Sequence, residues 1–215
     1  MLNVKVLDII IQLAVVLFAI SIHEASHGWM AEKFGDPTAR MQGRVTLNPI
    51  AHIDPIGTII FPLVLTIIGA PVFGWAKPVL VNPHFLRNRR RAGIFISAAG
   101  PLSNIIVASI GIMLFLIIKL IDIRILLSIS GPKVVGIILI YLIFINIFLA
   151  IFNLIPVPPL DGGGILEGFL KGEAYYAYQR VKPFGIILLF IIIYTGALNV
   201  IARPIQIFIF RILGA

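Results

Sequence analysis

Long apolar runs separated by short polar breaks dominate this chain. Three runs can cross a hydrocarbon core of about 30 Å as helices that rise about 1.5 Å per residue, and they cover residues 6–31, 93–120 and 134–155. A fourth run, at 184–202, is predicted to form a C-terminal span. The pattern predicts an all-α polytopic membrane protein, a bundle of about four to six transmembrane helices.

The segment between the first two spans has a different pattern. Residues 34–55 are polar and rich in turn-forming residues, which predicts an interfacial loop, whereas residues 56–73 are apolar but short and carry Pro62 near their middle. Irregular backbone is tolerated at membrane depth only beside protein or a water-filled cavity. We therefore expect 56–73 to be a re-entrant or membrane-associated hairpin, followed by an extended stretch at 79–81.

Composition supports a membrane location. Of the 215 residues, 60% are hydrophobic and 12% are charged, which is too apolar for a soluble domain of this size. The net charge is +8, but the basic residues lie in the breaks between apolar runs, as in cytoplasmic loops, so we expect no nucleic-acid partner. The absence of cysteine excludes thiolate metal sites, disulfides and cysteine nucleophiles.

The polar end of the first span carries a motif with chemical meaning. Residues 23–27 read HEASH, so His23 and His27 lie four positions apart and project from nearly one face of a helix. Two imidazoles at this spacing suit Zn²⁺, with Glu24 beside the ion as the base that takes a proton from an activated water. The motif predicts a zinc-dependent hydrolase.

The plain alternative is a set of buried polar residues that hydrogen-bond to a neighbouring helix. Chance would place this triplet in on the order of one in a thousand sequences of this composition. Each ionisable group inside a membrane helix also costs roughly 2.5 to 3.5 kcal/mol. Three such groups within five residues favour the functional interpretation.

A catalytic zinc site needs a third protein ligand and one open position. Asp161 is the first choice, because it follows a span that prolines interrupt at 156–159 and unwound backbone there can turn the carboxylate inward. His52, in the polar loop, is the alternative metal ligand. Asn104 and, less strongly, Asn153 are amides that either link helices or hold substrate near the metal.

The shared ion sets the topology. If His23 and Asp161 bind one ion, the first and third confident spans run the same way and the 93–120 helix runs opposite to them. The basic run at 87–91 then lies on the side of the metal, and the positive-inside rule makes that side cytoplasmic. Residues 34–91 must begin and end on one face, which again requires a hairpin at 56–73.

Three motifs together resemble the site-2 protease family of intramembrane zinc metalloproteases. They are HEASH at 23–27, AGPLSN at 99–104 and NLIPVPPLDGG at 153–163, and the likeness spans roughly residues 15–165. The chain is most similar to the minimal members of this family, since it has no room for the PDZ or CBS domains of the larger ones. The expected organisation is a single membrane protease domain over 1–215 with a core at 6–165.

The resemblance implies one Zn²⁺ per chain, held by His23, His27 and Asp161, with Glu24 as catalytic base. Asn104 matches a family asparagine thought to help hold substrate, and Asn153 and Gly162 are weaker candidates. The family cleaves transmembrane segments of other proteins within the bilayer, on the cytoplasmic side. A multi-pass location in a prokaryotic cell membrane follows from the likeness.

A second class of function uses the same residues differently. In a metal-ion transporter or channel, the buried histidines and aspartate would form a permeation site, and no general base would be required beside them. Glu24 therefore separates the two hypotheses. The partners expected for the protease are transmembrane protein substrates and the lipid bilayer; the sequence carries no signal for oligomeric state.

Overall fold

The computed structural model describes residues 2–69, 74–120 and 132–213. These residues form helices and loops without a β-strand, which confirms the all-α prediction. The predicted loop at 121–133 lies outside the described residues except for its last two positions. The α-helices are α1 (Leu2–Lys33), α2 (Thr38–Met41), α3 (Phe61–Ile67), α4 (Arg89–Leu120), α5 (Pro132–Asn153), α6 (Asp161–Phe169), α7 (Gly172–Val181), α8 (Gly185–Tyr194) and α9 (Ala197–Leu213).

Within the described residues, four helical stretches are long and apolar enough to cross a membrane. They are Val6–Lys33, Arg89–Leu120, Val134–Asn153 and Gly172–Tyr194. The first three match the predicted spans to within a few residues at each end. The number agrees with the predicted bundle of about four to six helices.

α1 and α4 pack antiparallel through small side chains. Ala31, near the end of α1, shares a buried cluster with Ala92, near the start of α4. Ala19 lies twelve positions before Ala31 in α1, and its carbonyl accepts a hydrogen bond from Asn104, which lies twelve positions after Ala92 in α4. Small residues allow membrane helices to approach closely. The carboxyl end of α1 therefore lies beside the amino end of α4.

α5 also runs antiparallel to α4. Asn104 donates a hydrogen bond to Asn146, whereas Gly111, later in α4, lies against Ile143, earlier in α5. A Cβ on Gly111 would lie 2.9 Å from Ile143 Cγ1, so glycine permits this close approach. α1 and α5 therefore run in the same direction, as the topology argument predicted.

The segment between α1 and α4 leaves the helix bundle and returns to it at the same place. The Arg87 N–H donates to the Phe34 carbonyl oxygen at 3.3 Å, and the Asn82 N–H donates to Asp36 Oδ2 at 2.6 Å. Asp36 is fully buried, and its other oxygen accepts from the Thr38 N–H at 3.0 Å. This excursion, residues 34–88, therefore begins and ends on the same face of the bundle.

Two arms of the excursion pair with each other. The Trp75 N–H donates to the Gly57 carbonyl at 3.0 Å, and the Lys77 N–H donates to the His52 carbonyl at 2.9 Å. The apolar helix in the first arm, Pro55–Ile67, is shorter than a membrane span. The predicted hairpin is confirmed by this pairing, and residues 70–73, between the two arms, lie outside the described residues. Residues 79–81 are irregular rather than part of a strand.

The C-terminal region differs from the predicted span at 184–202. α7 continues through a 3-10 turn at Lys182–Phe184 into α8, and a turn at 195–196 separates α8 from α9. Gly196 adopts φ +73°, a conformation that glycine reaches without steric cost. The span-length helix thus starts at Gly172, because its polar first turns remain helical, and it ends at Tyr194.

Candidate metal centre

Two histidines project from the last third of α1 toward the centre of the bundle. His23 and His27 are 7% and 9% exposed, and their ring centroids lie 4.7 Å apart with the planes nearly perpendicular. The four-residue spacing on a continuous helix produces this pairing. The two side chains therefore meet as the sequence predicted.

Asp161 completes the group from the first turn of α6. Its Oδ2 lies 3.1 Å from His23 Nε2, and its Oδ1 lies 3.3 Å from His27 Nε2. One ligand atom from each of the three residues falls within 4.8 Å of the others, and the described residues contain no other such group. The structure thus brings together the two histidines and the first-choice third ligand.

The opposite ring nitrogens are held by acceptors on α4. His27 Nδ1 donates to the Ile96 carbonyl oxygen at 2.6 Å, and His23 Nδ1 lies 2.6 Å from Asn104 Oδ1. Because the Asn104 nitrogen donates elsewhere, to Ala19 and Asn146, its oxygen must accept the His23 proton. In the neutral form, each imidazole therefore presents an unprotonated Nε2 to Asp161.

This arrangement fits a metal ion. Two nitrogen lone pairs face a carboxylate, and buried Asp161 Oδ2 accepts no hydrogen bond from the described residues despite lying 3.1 Å from His23 Nε2. Facing acceptors repel one another unless a cation lies between them. Ligand atoms about 2.1 Å from a tetrahedral zinc ion would be about 3.4 Å apart, close to the distances seen here. Two nitrogens and one oxygen are a donor set that zinc accepts in catalytic sites, with a fourth position open.

Close packing of α6 against α4 places Asp161. Arg90 Nε donates to the Gly168 carbonyl at 2.5 Å, and its guanidinium also donates to two further carbonyls at the end of α6. A Cβ on Gly164 or Gly168 would collide with Ser97 or Ile94 of α4. Glycine at these positions lets α6 lie directly on the start of α4.

Glu24 lies beside the metal group and not within it. Its side chain is half-buried, and Oε2 accepts a hydrogen bond from the Val79 N–H at 3.1 Å. The return arm of the excursion thus contacts the carboxylate that the motif assigns as base. This contact could not be predicted from the sequence, because residues 24 and 79 belong to elements far apart in the chain.

Asn104 reaches the metal group through His23. It is fully buried, its oxygen is bound to His23 and its nitrogen to two acceptors. Both polar atoms of Asn104 are therefore bound, and its oxygen orients a metal-binding ring; its contact with substrate stays a prediction. Asn153 is half-buried at the end of α5 and donates to the Leu149 carbonyl at 3.0 Å.

Two other candidates lie away from the group. His52 is buried, its Nε2 lies 2.9 Å from the Thr46 carbonyl oxygen, and it does not join the metal-binding residues, so the alternative ligand is not brought to the site. Gly162 is buried against the carbonyls of Leu154 and Ile155, which a Cβ would strike. Its position there reflects backbone packing, and its contact with substrate stays a prediction.

A cavity of about 720 Å³ opens between α4 and the α6–α7 region. Its lining includes Ser97, which follows the Ile96 that binds His27, and Gly164, three positions after Asp161. Arg89, Lys171 and Glu167 make much of the remaining wall polar. The cavity therefore borders the backbone that carries two of the metal-binding side chains.

A helical membrane bundle with a two-histidine, one-carboxylate centre and an adjacent glutamate defines a membrane metallohydrolase. Comparison with known proteins makes the class specific. The sequence model described as peptidase family M50 matches residues 123–195. The chain belongs to this family, the site-2 proteases, and is a zinc metalloprotease.

Curated relatives agree with this membership. "Putative zinc metalloprotease YwhC" of Bacillus subtilis (strain 168) is 38% identical over 181 residues, 83% of this chain and 78% of the relative. "Putative zinc metalloprotease Rip2" of Mycolicibacterium smegmatis is 28% identical over 183 residues, and Rip2 of Mycobacterium tuberculosis (strain ATCC 25618 / H37Rv) is 29% identical over 184 residues. These alignments cover 85% of this chain and 66% of each Rip2 protein. No solved structure matches.

Proposed function

We propose that this zinc metalloprotease hydrolyses peptide bonds within or near transmembrane segments of other membrane proteins. The observation that carries the proposal is the position of the metal-binding group. His23 and His27 lie in a span-length helix, and Asp161 approaches them past the end of another. Catalysis at such a site acts on a peptide bond that has entered the bundle from the bilayer.

Three side chains would hold one zinc ion and leave a fourth position for water or substrate. Zinc, when bound, lowers the pKa of a water molecule and polarises a carbonyl group. The protein contributes fixed ligand directions: Ile96 and Asn104 hold the Nδ1 protons, which keeps both Nε2 lone pairs aimed at Asp161.

Glu24 is the proposed general base. Its position next to His23 on the helix puts it beside the ion, and the Val79 N–H fixes one carboxylate oxygen. In the proposed reaction this carboxylate takes a proton from the attacking water and delivers it to the leaving amine, so that hydrolysis yields a new carboxylate and a new amino terminus. Water would reach the site through the cavity bordered by Ser97 and Gly164.

The return arm of the excursion is the proposed docking edge for unwound substrate. The N–H groups of Trp75, Lys77 and Val79 all donate to acceptors in the protein, with the alternation of an extended strand. The opposite edge, where Ala76 and Leu80 have N–H groups and Pro78 has none, can then accept a substrate strand, as in β-augmentation.

Introduced cysteines test this edge, because the chain has none of its own. In a Glu24→Gln background, Leu80→Cys should react more slowly with a thiol reagent when a membrane substrate is bound, whereas exposed Ile50→Cys should not change. Equal reactivity of Leu80→Cys with and without substrate would argue against the docking edge.

The proposed location is a prokaryotic cell membrane, with the site toward the cytoplasm. The basic run that opens α4 supports this orientation, since Arg89, Arg90 and Arg91 lie at the same end of the bundle as the metal group. Cytoplasmic loops carry an excess of such residues.

The decisive experiment is Glu24→Gln in the purified protein with single-span substrates. The expected result is loss of cleavage with zinc still bound, because the amide cannot take the proton but leaves the three ligands intact. Glu32→Gln, on the same helix and paired with Arg40 at the surface, is the matched control and should retain cleavage. Retained cleavage in Glu24→Gln would overturn the assignment, and zinc transport without cleavage by the unaltered protein would favour a transporter.

A further inference from the structure

We propose that Asn146 of α5 is a positioning residue that fixes the hydrogen-bond direction at His23, acting through Asn104. This inference rests on the proposed metal site. Asn146 belongs to none of the three motifs that carry the family resemblance, yet it is fully buried and lies two hydrogen bonds from a metal-binding side chain.

A backbone carbonyl fixes the donor-to-acceptor direction of the hydrogen bonds that connect Asn146, Asn104 and His23. Asn146 Nδ2 donates to the Leu142 carbonyl oxygen, one helical turn earlier, at 2.8 Å. A carbonyl oxygen only accepts hydrogen bonds, so the amide nitrogen of Asn146 must face it. The Oδ1 of Asn146 is therefore turned toward Asn104.

The orientation of Asn146 determines which atom of Asn104 faces His23. Asn104 Nδ2 donates to Asn146 Oδ1 at 2.7 Å and to the Ala19 carbonyl at 3.2 Å, which leaves Asn104 Oδ1 for His23. His23 Nδ1, 2.6 Å away, must then carry the ring proton. Its Nε2 is left as a lone pair 3.1 Å from Asp161 Oδ2.

The two histidines differ in the kind of acceptor that holds the Nδ1 proton. His27 donates to the backbone carbonyl of Ile96, which cannot exchange its role. His23 depends on a side-chain amide, and an amide can turn by half a rotation and present its nitrogen instead. An Asn104 nitrogen facing His23 would favour the ring proton on Nε2, where it blocks metal binding. Asn146 opposes that rotation by offering Asn104 an acceptor.

A double-mutant cycle tests the inference. Asn146→Leu removes the acceptor and should weaken zinc binding by roughly 10-fold, the lower end of the effect of losing a residue that hydrogen-bonds a metal ligand directly. Asn104→Ala removes the amide through which Asn146 is proposed to act. In that background the added Asn146→Leu change should alter zinc affinity by less than about twofold.

Zinc affinity is measured by competition with a chromogenic chelator, and visible spectra of the cobalt-substituted proteins report ligand geometry independently of activity. Ile143→Ala, a fully buried neighbour on α5, is the control for lost packing and should lower stability without changing affinity or spectrum. If Asn146→Leu does not fold, Asn146→Ala enters the same cycle.

Three outcomes would overturn the role of Asn146: unchanged zinc affinity in Asn146→Leu, the same loss in Ile143→Ala, or an equal loss in both Asn104 backgrounds. Failure of the metal site itself would appear differently. His23→Ala would then retain the affinity of the unaltered protein, whereas the failure of this inference alone leaves His23→Ala without zinc.

Discussion

Gly100 determines how closely α4 can approach the two imidazoles. A Cβ at this position would collide with ring atoms of both His23 and His27. Glycine within a helix is destabilising by roughly 0.5–1 kcal/mol relative to alanine, so its presence here reflects the space that the histidines occupy.

We predict that Gly100→Ala lowers zinc affinity by at least about tenfold, because the methyl group displaces the rings from Asp161. Gly93→Ala is the matched control on the same helix, where an added Cβ meets no atom within 4 Å, and it should retain zinc and gain stability. Metal content after purification and chelator competition measure both variants. Full zinc occupancy in Gly100→Ala at limiting metal would contradict the prediction.

Single residues were predictable where local spacing decides their position. The HEASH run placed His23 and His27 on one helix face, and the prolines before Asp161 indicated a turned carboxylate. Asn104 was predicted near the metal, but its bond to His23 was not, since sequence does not tell which atoms of a buried amide are already bound. Gly100 and Asn146 were missed as site residues because their contacts join helices that are distant in the chain.

A few hydrogen bonds hold the excursion between α1 and α4 beside the metal group. Asp36 binds the backbone N–H of both Thr38 and Asn82, and three residues before Asn82 the Val79 N–H binds Glu24. The buried carboxylate of Asp36 therefore sets where the return arm lies relative to the proposed base.

We predict that Asp36→Ala reduces the turnover number while zinc remains bound, because the arm shifts but the three metal ligands do not. Loss of the buried acceptor should also lower the free energy of unfolding by about 1–3 kcal/mol. Turnover, zinc content and thermal unfolding are measured together, with Glu32→Gln as the surface control. Unaltered turnover in a variant with the predicted instability would show that the arm does not position Glu24.

Helices were predicted best where hydropathy alone defines them. α1, α4 and α5 agree with their predicted ranges, and the short Pro55–Ile67 helix agrees with the predicted hairpin. The C-terminal span was misplaced because its first turns are polar yet helical, and because Gly196 ends it by a backbone conformation that hydropathy does not report.

The metal group joins parts of the molecule that no continuous element connects. His23 and His27 belong to α1, Asp161 begins α6, and α4 lies between them in the chain. An ion bound by all three would stabilise the folded bundle, because the unfolded chain does not hold the ligands together.

We predict that removing zinc lowers the melting temperature of the detergent-solubilised protein. A ligand at a hundredfold excess over its Kd contributes about 2.7 kcal/mol, which corresponds to several degrees for a chain of this length. Asp161→Ala should melt at the same temperature with and without chelator, whereas His52→Ala should keep the zinc-dependent shift. A shift that persists in Asp161→Ala would place the ion elsewhere.

The direction of the main helices followed from one constraint in the sequence. His23 and Asp161 must meet at one depth in the membrane, so the chain must cross the membrane an even number of times between them. The spans 93–120 and 134–155 already supply two crossings, so 56–73 had to be a hairpin. The side chains that hold the bundle together at that depth, such as Ala31 against Ala92, could not be paired from the sequence because each run offers many small residues.

The bond between the Arg87 N–H and the Phe34 carbonyl has an evolutionary consequence. Because everything from 34 to 88 is inserted at a single point of the scaffold, its contour can lengthen, shorten or be exchanged between relatives without inverting any later helix. The length of this insert can therefore change while α1, α4 and α6 still bring His23, His27 and Asp161 together.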